Sequence, residues 1–105
     1  MAVAKITDFI MELVRAANEF ERLGDFEKRR LLDRAYRMIQ EGRNQIGMER
    51  DRSDSDAAID FLTMSRSLDK FTPDEIKEAL LDAADMLRTI KIVLDAKDEV
   101  LREGE

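Results

Sequence analysis

The side chains with the plainest capacity for chemistry are four carboxylates, Glu75, Glu78, Asp82 and Asp85, spaced three, four and three residues apart. That spacing puts them on one face of a helix, and a row of carboxylate oxygens is what a hard cation such as magnesium binds. Asp95, Asp98 and Glu99 extend the acidic character further along. A cationic counterpart lies upstream, where Arg30, Arg34 and Arg37 share a helix face with Lys28 and Arg29 beside it. Such a stripe meets phosphates or the carboxylates of a partner. A third cluster, Asp51 to Asp56, begins like a calcium loop, yet Asp56 stands where that loop needs glycine and Leu62 where it needs a bidentate glutamate. It reads as a linker followed by a helix cap.

Glu75/Glu78 and Asp82/Asp85 resemble the paired Glu-x-x-Glu and Glu-x-x-Asp motifs with which small all-α nucleotide pyrophosphohydrolases bind magnesium. In those enzymes the pairs sit on two facing helices, whereas here both share one outward face, and no acidic pair of matching spacing is evident earlier in the chain. A solvated helix face is the first reading, and a magnesium-dependent pyrophosphohydrolase-like enzyme the alternative. The chain has no histidine and no cysteine, which removes the commonest general base, the commonest zinc ligand and every thiolate. No nucleophile is paired with a base, and no glycine-rich phosphate loop exists. The expectation is a protein that is not an enzyme, with no cofactor and no bound metal.

Charge sorts the remaining partners. The net charge of −6 opposes broad affinity for nucleic acid or anionic lipid. It is unevenly placed: residues 28 to 52 hold eight basic and four acidic side chains, a balance of +4, while residues 53 to 105 hold seven basic and fourteen acidic ones, a balance of −7. A nucleic-acid-associated regulator acting through the basic helix is a further alternative, but the stripe lacks the aromatic and amide side chains that read bases. An acidic protein surface, or the acidic half of the chain itself, fits it better.

The elements that must carry these groups are helices. With 44% hydrophobic and 40% charged residues, four Gly and one Pro, the 105-residue chain reads as one all-α domain of long amphipathic helices. Val3, Ile6, Ile10, Leu13, Ala17 and Phe20 predict a first helix over about 3–23, widened by Phe9, Ala16 and Leu23, with Gly24 as a left-handed stop and Asp25 as the next cap. A second helix over about 25–46 buries Leu31, Leu32, Ala35, Met38, Ile39 and Ile46, with Tyr36 at the margin. Gly47 ends it, and residues 47–54 form the linker. A third helix over about 55–69 buries Ala57, Phe61, Met64 and Leu68. Phe71-Thr72-Pro73-Asp74-Glu75-Ile76 combines a capping box, an N1 proline and a hydrophobic staple, and so starts a fourth helix reaching about residue 102. Ile76, Leu80, Ala83, Leu87, Ile90, Leu94 and Leu101 form its main stripe, with Ala79, Met86, Val93 and Val100 alongside. Met11, Met38, Met64 and Met86 fall one per helix at core spacing.

The fold expected is an antiparallel bundle of about four helices built from two hairpins, 3–46 and 55–103, with a long C-terminal helix. A faint repeat at an offset of 49 pairs Leu31, Leu32 and Ala35 with Leu80, Leu81 and Ala84. The fourth helix outreaches the third, so part of its apolar face needs cover from the first two helices or from a second copy, which makes a homo-oligomer an expectation. The function expected is protein–protein interaction, as an inhibitor, adaptor or assembly factor in the cytoplasm, without membrane contact. Arg29, Arg30, Arg34, Arg37, Ile92, Val100 and Leu101 are the candidate contact residues.

Overall fold

Thr72 shows in detail how the chain sets its helices. In the computed structural model, the Thr72 N–H donates to Glu75 Oε1 at 2.9 Å and the Glu75 N–H donates to Thr72 Oγ1 at 3.1 Å, a reciprocal capping box. Pro73 is the first helical residue, where no N–H is needed, and Ile76 is buried four positions into the chain from Thr72. Thr72→Ala is expected to cost about 1 kcal/mol in denaturant unfolding. A neutral result would mean that the box does not hold this helix end.

The structure describes residues 2–46 and 52–103, with side chains placed over 6–45 and 58–96. Its four helices are α1 (Ala2–Asn18), α2 (Asp25–Ile46), α3 (Arg52–Arg66) and α4 (Pro73–Glu103). Among the described residues there is no strand, and no helix is long and apolar enough to cross a membrane. The expected linker residue Gly47 lies outside the described residues, as do the side chains of Val3, Ile46, Ala57, Val100 and Leu101.

α3 starts at Arg52, so residues 52–54 of the expected linker are helical, and two helix ends differ from expectation for one reason. α1 stops at Asn18, and a 3-10 turn, Phe20–Arg22, follows; α3 stops at Arg66, and a 3-10 turn, Leu68–Lys70, follows. Phe20, Leu23 and Leu68 continue a helical spacing in the sequence, but the tighter turn delivers them to the core while the chain reverses. Gly24 does not adopt the left-handed conformation, and nothing lies within 4 Å of where its Cβ would be. It precedes α2 as Thr72 precedes α4, so Asp25 is the first helical residue and not the cap. Met11 is 66% exposed and Val93 37% exposed, so neither joins the core; Met64 does, and Met38 and Met86 are half-buried against it.

The halves of the chain repeat each other at an offset of 48, one less than sequence matching indicates. The ends Asn18 and Arg66, the 3-10 turns 20–22 and 68–70, and the starts Asp25 and Pro73 all obey it. Backbone hydrogen bonds repeat as well: Arg22 to Glu19, Leu23 to Phe20 and Lys28 to Gly24 in one half, Lys70 to Ser67, Phe71 to Leu68 and Ile76 to Thr72 in the other. The fully buried Leu32, Ala35 and Ile39 correspond to the fully buried Leu80, Ala83 and Leu87.

Packing follows the same pseudo-twofold relation. α1 packs along α4 and α3 along α2, so each half lays its first helix on the other half's second, while α2 and α4 pack together at the centre. Within each hairpin the backbones stand apart. The hairpin α1–α2 is joined by long side chains: Lys28 lies over the Phe20 ring at 4.6 Å and the Arg34 guanidinium over the Phe9 ring at 4.7 Å. α4, 31 residues or about 46 Å long, is thereby flanked by both α1 and α2, and it buries residues as far as Leu94.

Gly42 and Ile90, equivalent at the offset of 48, meet where α2 and α4 approach. A Cβ on Gly42 would lie 2.5 Å from Ile90 Cγ2. Gly42→Ala gains about 1 kcal/mol of helix propensity but forces a stiff β-branched side chain aside at a cost of about 1–3 kcal/mol. Net destabilisation of about 1 kcal/mol is expected in thermal or urea unfolding; in an Ile90→Ala background, itself destabilised by the cavity it leaves, Gly42→Ala should no longer cost stability. A stabilised single variant would refute the close approach.

Candidate interaction surfaces

Helix α2 distributes its arginines to two sides. Arg30 and Arg34 turn toward α1, where Arg30 Nη2 lies 3.1 Å from Glu12 Oε1 and 3.3 Å from Glu27 Oε2, and Arg34 Nη1 lies 3.4 Å from Glu12 Oε2. Glu12 is thus held by two guanidiniums, one on each oxygen. The Glu12 hydrogen bond, opposed by slight burial and helped by Glu27, raises the Arg30 pKa above its ordinary value. Since guanidinium is charged at any ordinary pH, the raised value adds no pH dependence in that range. All three side chains are more than a third exposed, so the cluster aligns α1 and α2 more than it stabilises them.

Arg29 and Arg37 turn the other way, into a cleft of about 610 Å³ between α2 and α3 that is completed by Asp33, Tyr36, Leu62, Ser65 and Arg66. The buried Ser65 fixes the wall: its Oγ lies 2.6 Å from Asp33 Oδ1 and 2.8 Å from the Leu62 carbonyl oxygen. The hydroxyl proton goes to the carboxylate, the stronger acceptor, which ties α3 to α2. Three guanidiniums therefore share the cleft with one carboxylate that is already engaged, and among the described residues none of the three makes an ion pair. The cleft carries net positive charge and a half-buried tyrosine.

No protein-family model, curated protein or solved structure matches this chain. Its surfaces have to be judged on their own chemistry.

The expected contact residues are thus divided. Arg29 and Arg37 belong to the cleft, and Arg30 and Arg34 to the Glu12 clamp. Ile92 is 67% exposed on α4, seven residues or about 10 Å beyond Asp85, the counterpart of Arg37. Val100 and Leu101 lie outside the described side chains. Arg66, Ser65 and Tyr36 complete a site of which the arginine stripe was half. The tyrosine stood at the expected helix margin, and Arg66 carried no signal because its role depends on which helix α3 packs against.

The carboxylates form a second surface. Glu75 is used in the capping box, and Asp85 Oδ1 accepts from Arg88 at 3.0 Å. Glu78 and Asp82 face Asp60 of α3 across a groove of about 630 Å³. Among the described residues no three or more carboxylates converge in a way that would hold a metal ion. The calcium-loop cluster falls outside the described side chains.

Proposed function

We propose that this chain acts by binding another protein, as an inhibitor, adaptor or assembly factor, and that an acidic segment of the partner enters the cleft between α2 and α3. One observation carries the reading: Arg29, Arg37 and Arg66 line a cleft whose single carboxylate, Asp33, Ser65 already holds. Planar guanidiniums recognise carboxylates through paired hydrogen bonds, and Tyr36 supplies an amphipathic wall for the partner's apolar atoms. The exposed Ile92 offers apolar area outside the cleft. α1 and α2 bury the main stripe of α4 as far as Leu94, while Ile92 and Val93 stay exposed beside it.

Nucleic acid is the second reading, favoured by the tyrosine beside three arginines, since aromatic faces and guanidiniums together hold single strands. The net charge of −6 opposes it. Titration of the labelled protein with a synthetic glutamate-rich helical peptide, followed by NMR, tests the first reading. Shifts confined to the Tyr36 ring and the Nε–H signals of Arg29, Arg37 and Arg66 are expected. Shifts elsewhere, or none, would dismiss the cleft.

A further inference from the structure

The repeat at an offset of 48 makes two gaps structurally equivalent, one between α1 and α2 and one between α3 and α4. In the first, Glu12 faces Arg30 and Arg34, and the arginine side chains bridge the gap at 3.1 and 3.4 Å. In the second, Asp60 takes the place of Glu12, while Glu78 and Asp82 take the places of Arg30 and Arg34. Both banks are then acidic, and the gap stays open as the groove of about 630 Å³. Its floor is apolar, with Met64 buried and Phe71 and Met86 half-buried. No basic side chain lines it, and among the described residues Asp60, Glu78 and Asp82 make no ion pair.

We infer that the groove between α3 and α4 is a docking site for a cationic amphipathic helix of another protein. The occupant supplies in trans what Arg30 and Arg34 supply in cis to the first gap. Its arginine or lysine heads meet Asp60, Glu78 and Asp82, and its apolar face and side-chain stems cover Phe71, Met64 and Met86. Methionine on such a floor adapts to different apolar side chains. Charge selects a basic partner over a second copy of the chain. A second copy brings the same net charge of −6, and its basic α2 would dock on a different surface, giving a contact that does not close. The site is independent of the arginine cleft and of opposite sign, with α3 shared between them, so the chain can hold two partners on either side of that helix.

The test uses the full chain and a fluorescent synthetic helix of about 18 residues, or about 27 Å, with a leucine face flanked by arginines. Binding at near-physiological salt is expected to weaken about tenfold or more in the variant Asp60→Asn/Glu78→Gln/Asp82→Asn. The equally neutralised control Asp8→Asn/Glu21→Gln/Glu41→Gln should change it by less than about threefold, because screened distant charges contribute little. Methyl signals of Met64 and Met86 should shift on binding. The variant Glu78→Arg/Asp82→Arg, which copies the first gap, should stay folded by circular dichroism and lose the peptide. Equal binding by the groove variant and the control, no binding by the natural chain, or methyl shifts elsewhere would overturn the proposal. So would concentration-dependent self-association that is lost in the groove variant, which would assign the groove to a second copy.

Discussion

Leu80→Ala is expected to lower the unfolding free energy by about 3 kcal/mol, and Leu32→Ala by a similar amount, whereas Leu81→Ala should cost less than about 1 kcal/mol. Leu32 and Leu80 are both fully buried and correspond at the offset of 48, while Leu81 is 38% exposed and corresponds to Asp33. Each variant at a buried leucine loses that side chain's transfer free energy and leaves a cavity in the core that close-packed neighbours fill only in part. A partly exposed leucine loses only covered area. The comparison is decided by urea unfolding of the three variants. A Leu81→Ala as costly as Leu32→Ala would favour the offset of 49, in which Leu32 and Leu81 are equivalent.

The one-residue difference between the two offsets explains what sequence can and cannot disclose here. Leu31 with Leu80, and Ala35 with Ala84, match in type at 49, but type says nothing of which turn of the helix faces inward. Burial depends on where α2 and α4 begin relative to the reversals, and those are set by 3-10 turns that sequence spacing disguises as further helix. Residues such as Phe20 and Leu23 fit a period of 3.6 and yet reach the core by another route. Starts were legible where side chains make them: the Thr72 box was complete in the sequence because each of its members acts within three residues. The stripe of α4 was legible down to Leu94, since its period is local. The arginine cleft was legible only in part. Arg29 and Arg37 share a helix, but Arg66 joins them through packing of α3 on α2. The place of Gly42 inside the α2 pattern pointed to close packing or a loosened last turn, and Ile90 against it decides for close packing.

Charge reversal of the cleft carries the second large effect. In the variant Arg29→Glu/Arg37→Glu/Arg66→Glu, affinity for the glutamate-rich peptide should fall about a hundredfold or more, equivalent to about 3 kcal/mol. The three guanidiniums have no ion-paired partner among the described residues, so their replacement removes no internal contact of that kind. Asp33 would then sit among like charges, and some loss of stability is expected with it. The milder set Arg29→Gln/Arg37→Gln/Arg66→Gln separates the two effects: it should retain the melting temperature and still lose most of the binding. If the glutamine variant bound the peptide as the natural chain does, the cleft would not be the contact.

Whether the cleft serves a protein or a nucleic acid is decided by parallel salt-dependent titrations. The chain is titrated with the labelled acidic peptide and, separately, with labelled single-stranded and duplex DNA, each over a range of salt concentrations. The account predicts measurable peptide binding that the glutamine variant loses, and negligible binding to either DNA at physiological ionic strength, because the unpaired acids of α3 and α4 repel the phosphates that Arg29, Arg37 and Arg66 attract. Tight DNA binding whose log affinity falls steeply with log salt, losing about one unit of slope for each arginine removed, would contradict it.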